Sequence, residues 1–124
     1  MAVFKTRAFM RFARKERIAD EALRDAIARA ERGLVDAHLG GGVIKQRIAR
    51  PGEGRSGGFR AIIAFKAAER SVFVFGFAKS DRDNVGPGEL NMLRKAAAEM
   101  LSWKKEQVAA MVATGAWTEV ENER

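Results

Sequence analysis

The stretch VIKQRIARPGEGRSGGFRAIIAFKAAERSVFVFGFAKSDR, residues 43–82, constrains the fold more than any other part of the chain. It divides into three short runs rich in Val, Ile and Phe, at residues 43–50, 58–66 and 71–79. They are separated by PGEGRSGG and by the charged turn at 67–70. β-Branched and aromatic residues between such punctuation predict three consecutive strands. Strand side chains alternate between faces, so Lys45 and Arg47 share one face of the first strand while Ile44, Gln46 and Ile48 share the other. Arg60 and Lys66 share a face of the second, and Lys79 and Arg82 follow the end of the third. These forty residues hold nine Lys or Arg against three acids, and so carry six of the chain's seven net positive charges. A sheet with an apolar core and cationic edges is suited to phosphate. The third strand, VFVFGFA, is apolar on both faces and is expected at the centre of the sheet. Phe73, Phe75 and Phe77 are expected on one face of it, packed against helices rather than stacking bases.

Composition narrows the choices further. A length of 124 residues predicts a single domain over 1–124, and 47% hydrophobic residues suffice for a core without metal or disulfides. With no Cys, disulfides and thiolate metal sites are excluded. A lone histidine, His38, argues against a His-based metal site or a Ser-His-Asp triad, and is read as an ordinary loop residue. No cofactor is expected. No apolar run approaches a membrane span and MAVFKTRAF lacks a signal-peptide core, so a cytoplasmic protein is expected. A pI near 10.4 favours an anionic partner such as nucleic acid, the ribosome or an acidic protein.

Before the strands, residues 2–5 read as a short edge strand. Thr6 is placed to cap a helix over 7–17, with Ala8, Phe9, Phe12 and Ala13 on its apolar side. Asp20 is expected to cap a second helix, ended by Gly33 in a left-handed conformation. A short link predicts that the two pair as an antiparallel hairpin, whose basic face is read as solvated. Residues 34–42, LVDAHLGGG, read as a loop. The glycines at 52, 54 and 57 formally match G-x-G-x-x-G, but they lie between two strands. A dinucleotide site needs them to open a helix. A hairpin tip carrying Arg50 and Arg55, able to wrap an extended polyanion, is the better account. After the sheet, a long helix is expected from about Glu89, with a break near Trp103, and a frayed tail over 115–124 except where Trp117 docks.

The order strand, helix, helix, three antiparallel strands, helix resembles the RelE/ParE superfamily of type II toxins. LGGGVIKQRIARPGEGRSGGFR and FVFGFAKSDRDNV are closest to its HigB/RelE-like branch. The resemblance implies an α+β fold: an N-terminal helical hairpin on a small, mainly antiparallel sheet of about four strands, then a C-terminal helix. It implies a toxin that cuts mRNA in the ribosomal A site. It further implies a cognate antitoxin, of helix-turn-helix type, through which operator DNA is bound. By this resemblance Lys45 and Arg47 match the family's basic pair on the first long strand. Arg60 matches the arginine after Gly-aromatic, Lys79 the basic residue ending the last strand, and Arg82 lies in the basic turn beyond. Arg50, Arg55 and Lys66 would add RNA contacts. The chain lacks the aromatic hydroxyl found after that strand in RelE, having no Tyr, and it lacks the histidines of some HigB sites.

The implied chemistry is attack of a ribose 2′-hydroxyl on the adjacent phosphate. Arg60 would stabilise the charge that develops, because a guanidinium fits phosphate oxygens bidentately. Lys45 is assigned as general base, a role that crowding by other cations favours. Lys79 or Arg82 would be the acid or electrostatic partner, with the ribosome orienting the RNA. Three alternatives stand beside this. One is a non-enzymatic inhibitor of the same fold acting on DNA gyrase. Another is a nucleic-acid or ribosome-binding domain without chemistry. In the third, the cations merely bind phosphate or an acidic antitoxin segment.

Overall fold

A computed structural model describes residues 1–50, 54–81 and 84–120, with the backbone alone at 50 and 54–57. The chain runs β1 (Ala2–Thr6), α1 (Arg7–Glu16), α2 (Asp20–Glu31), β2 (Ala37–Gly40), β3 (Val43–Arg50), β4 (Gly54–Lys66), β5 (Arg70–Ala78), α3 (Pro87–Ser102), α4 (Lys105–Ala113) and β6 (Trp117–Glu119). The three strands anticipated from the sequence are β3, β4 and β5, joined as antiparallel neighbours. They form the middle of a six-stranded sheet in the order β2-β3-β4-β5-β1-β6.

Three differences from expectation enlarge that sheet. Ala37–Gly40 is a strand rather than loop, pairing antiparallel with β3. β1 is not an edge: it runs parallel to β5 and is flanked on its other side by β6. The tail from Gly115 is ordered through Val120, because Trp117–Glu119 pairs with β1 and both Trp117 and Val120 are buried. The sheet is therefore mixed, and larger than four strands. The β1 pairings join residues 68 positions apart with β5 and more than a hundred apart with β6, which no local pattern announces.

The sheet has a helical layer on each face. On one, α1 packs over β5 and β1, and α2 packs over β3. Phe9, Ala13, Leu23, Ala26 and Ile27 meet Ile44, Ile48, Phe59, Ile63 and Phe73 there. The two helices each seat on their own strands, so the sheet rather than a helix-to-helix seam unites them. Thr6 caps α1 as expected, its hydroxyl accepting from Phe9 N–H at 3.2 Å. Asp20 does not cap α2. Ala19 occupies that position, and the Asp20 carboxylate instead takes the ammonium of Lys5 at 2.7 Å. Gly33 does end α2 at φ +83°, and Leu34 N–H reaches back to the carbonyl of Arg29 at 2.8 Å.

On the opposite face, α3 and α4 cover Val43, Ile62, Ala64 and Val72 with Leu93, Ala97, Met100, Leu101 and Val108. The break between the two helices falls at Trp103, where the sequence placed it. Phe73, Phe75 and Phe77 do not share a face. A register irregularity pairs Ile62 with Phe75 but Ile63 with Phe73, leaving Val74 as the extra residue. Phe73 consequently turns toward Phe9, 5.0 Å away between ring centroids, while Phe75 and Phe77 belong to the other face.

Gly76 sits under α1 at a position with no room for a side chain. A Cβ there would meet the Phe12 ring at 2.5 Å and the Phe9 ring at 3.0 Å. Gly76→Ala is expected to lower stability by roughly 1–3 kcal/mol through overpacking. A urea midpoint unchanged from the parent would contradict that close approach.

Candidate functional site

Leu101 lies against Gly42, so the second half of α3 covers the end of the sheet where β3 begins. The cations stand at the other end. The register places Arg47 directly opposite Arg60, and Arg60 directly opposite Phe77. Directly paired residues have Cα atoms about 4.5–5.5 Å apart. Lys45, two residues before Arg47, is opposite Ile62, and therefore shares the face of both Arg47 and Arg60. Lys79, two residues past Phe77, lies beside Gly58, whose carbonyl accepts from Lys79 N–H at 3.2 Å. Lys45, Arg47 and Arg60 thus share one face of two adjacent strands, and Lys79 stands in the turn just past the end of the third.

Their environments differ. Arg60 is buried, at 6% exposure, and donates to the carbonyl of Phe59 at 3.3 Å. Arg47 and Lys79 are exposed and Lys45 is half-buried. Phe77 is buried and Phe75 half-buried, with ring centroids 6.0 Å apart. An apolar floor beneath clustered cations lowers the local dielectric and strengthens their pull on a phosphate.

The backbone of Arg47 is held from the helix side. The β2 ladder reaches only to Lys45, which leaves the outward peptide groups of Arg47 without a strand partner. Asp36 Oδ2 accepts from Arg47 N–H, and Arg29 Nη2 donates to the Arg47 carbonyl, both at 2.6 Å. Arg29 is itself buried, and it is flanked by Asp25 at 3.2 Å and Asp36 at 3.8 Å. Next to it, the fully buried Gln46 accepts from Asp36 N–H at 2.8 Å and donates to the carbonyl of Ala26 at 2.9 Å. This polar network replaces the missing ladder on the outer side of Arg47, which pairs with Arg60 on its inner side.

The remaining sequence-derived candidates fall elsewhere. Lys66 shares the parity of Arg60 but lies six residues along β4, roughly 20 Å away, and pairs with Glu69 at 3.4 Å. Arg50 and Arg55 lie on the paired ends of β3 and β4, where the backbone is described. Arg82 lies outside the described residues. His38 is exposed on β2, opposite Ile44. Among the described residues, no group of His, Asp or Glu could hold a metal ion. No described helix is long and apolar enough to cross a membrane.

Sequence reasoning missed Arg29, Asp36 and Phe77. Phe77 sits near the end of the third apolar run, but its place beside Arg60 follows only from the pairing of β4 with β5. Arg29 and Asp36 had no signal, because their link to Arg47 exists only after α2 docks on β3.

The family model of the RelE toxin of RelE/RelB toxin–antitoxin systems matches residues 1–120. Comparison with curated proteins gives no match.

Proposed function

Since the chain belongs to the RelE family, and is thus a toxin with a cognate antitoxin as its partner, we propose that it is a ribosome-dependent mRNA endoribonuclease. The observation that carries this reading is the opposed Arg47–Arg60 pair, with Lys45 on the same face of the sheet and Lys79 in the turn that follows β5, its backbone bonded to Gly58.

In the proposed reaction a ribose 2′-oxygen bonds to the adjacent phosphorus as the bond from phosphorus to the 5′-oxygen breaks. Lys45 is assigned the 2′-hydroxyl proton as general base. Arg60 stabilises the extra negative charge on the phosphoryl oxygens, where a preorganised donor in a dry site acts most strongly. Lys79 or Arg82 protonates or stabilises the departing 5′-oxygen, and Arg47 binds a neighbouring phosphate. The buried position of Arg60 supports its role, because a guanidinium fixed beneath the surface loses little freedom when it meets phosphate. With neither Tyr nor a histidine in the patch, much of the acceleration must come from the ribosome aligning the RNA. The antitoxin is proposed to be of helix-turn-helix type, and operator DNA to be bound only through the toxin–antitoxin complex.

Induction of the toxin without its antitoxin tests the reading. Protein synthesis is expected to stop first, with mRNA cut at codons in the A site. DNA breaks with an SOS response would favour the gyrase-directed alternative, and neither outcome would leave a binding domain without chemistry.

A further inference from the structure

The outer face of α1 carries Arg7, Arg11, Arg14 and Lys15, all exposed, and Arg17 continues the row just past the helix. Steps of four and three residues put Arg7, Arg11 and Arg14 on one line, opposite the buried Phe9 and Ala13. Among the described residues none of these five cations has an ion pair. A solvated helix face normally mixes charges, as α2 does with Asp20, Glu21, Asp25 and Glu31 set among Arg24 and Arg29.

For the helix itself, this arrangement is unfavourable. Arg7 stands in the first turn, where the helix dipole disfavours a cation and where α1 has no acid. Arg7 with Arg11, and Arg11 with Lys15, are like charges one turn apart. Arg17 closes the helix in the left-handed region, at φ 58°, where glycine is favoured. Arg17 and Ile18 do satisfy the last carbonyls, donating to Arg14 and Ala13 at 3.3 and 2.8 Å, and Arg14 and Lys15 suit the C-terminal end of the dipole, but no acid offsets Arg7 and Arg11 in the first half of the helix.

We propose that this face of α1 is a second nucleic-acid contact, one that grips the phosphate backbone of a folded, double-stranded RNA. It is separate from the cationic patch, because α1 and the patch lie on opposite faces of the sheet. The chemistry of the face selects the partner. No large apolar side chain on α1 is exposed, so a folding peptide would find no hydrophobic anchor along the line of Arg7, Arg11 and Arg14. No aromatic ring of α1 is fully exposed either, since Phe9 is buried and the half-buried Phe12 packs edge-on against Phe59 with centroids 5.6 Å apart. Single-stranded RNA therefore has no stacking platform. A duplex backbone, read through phosphates alone, needs only what is present.

The test is binding to an RNA hairpin of about twenty base pairs across a salt series, which requires neither cleavage nor toxicity. The triple variant Arg7→Gln, Arg11→Gln, Arg14→Gln is expected to bind more than tenfold more weakly near 0.1 M salt. Its log–log salt slope should be shallower by about three. Its melting temperature should be equal to the parent's or higher, because repulsion along the helix is relieved. A control with the same charge change elsewhere, Lys95→Gln, Lys104→Gln, Lys105→Gln, is expected to bind nearly as the parent does. Should the triple variant fail to fold, Arg11→Gln alone carries the test, with a slope change of about one. Parental binding by the α1 variants, an equal loss in the control, or parental binding to polyglutamate but not to the hairpin would each overturn the proposal.

Discussion

Replacing Arg60 by alanine is expected to abolish growth arrest and to slow mRNA cleavage by about 10²–10³-fold, the usual cost of removing one preorganised donor from a developing anion. Arg60 is singled out by position. It lies on the central strand of the patch, between Arg47 on one neighbour and Phe77 on the other, and it is the only one of the four described patch cations that is buried. Arg60→Lys separates charge from geometry. It keeps a cation but loses the planar fork, so it should still fall at least tenfold below the parent. Retained binding to the antitoxin and an unchanged circular dichroism spectrum would show that the variants fold. Full toxicity of Arg60→Ala would remove the basis for placing phosphate over this strand.

Trp117→Ala is expected to have the largest effect on stability, roughly 3–5 kcal/mol. Trp117 is 2% exposed, with its ring 5.4 Å from that of Phe4 and 5.3 Å from that of Trp103. It also opens β6, the strand that shields the outer edge of β1. Losing it leaves a cavity between the sheet and the link joining α3 to α4. For a chain of this size, a drop in melting temperature of about 10–20 °C follows, out of a total stability of about 5–15 kcal/mol. Removing residues 115–124 should be worse, because β1 then presents a bare edge. A truncated protein that melts like the parent would mean that the tail contributes nothing to the fold.

The contrast between these two residues shows what the sequence could reveal. β3, β4 and β5 were legible because each is a run of branched or aromatic residues bounded by glycine, proline or charge. Thr6 as a cap, Gly33 as a stop and the break at Trp103 were legible for the same local reasons. Trp117 was legible only as a docking residue, because pairing between β6 and β1 depends on chain ends meeting across the whole domain. The patch was half legible. Parity put Lys45 with Arg47, but the meeting of Arg47 and Arg60 depends on a register shift between Ile48 and Arg50. Counting back from the Arg50–Gly54 pair without that shift would set Arg47 against Gly57 instead. The irregularity near Val74 had the same effect on the phenylalanines, sending Phe73 to one core and Phe75 to the other. Irregular pairings of this kind are settled by packing on both faces at once.

The most direct measurement uses purified toxin and ribosomes carrying a defined mRNA, with the RNA ends mapped after mixing. Cleavage within the codon in the A site by the parent protein, and none by Lys45→Ala, Arg60→Ala, Lys79→Ala combined, is the predicted result. Intact mRNA with the parent, or equal cleavage by the triple variant, would contradict the assignment of catalysis to this sheet face.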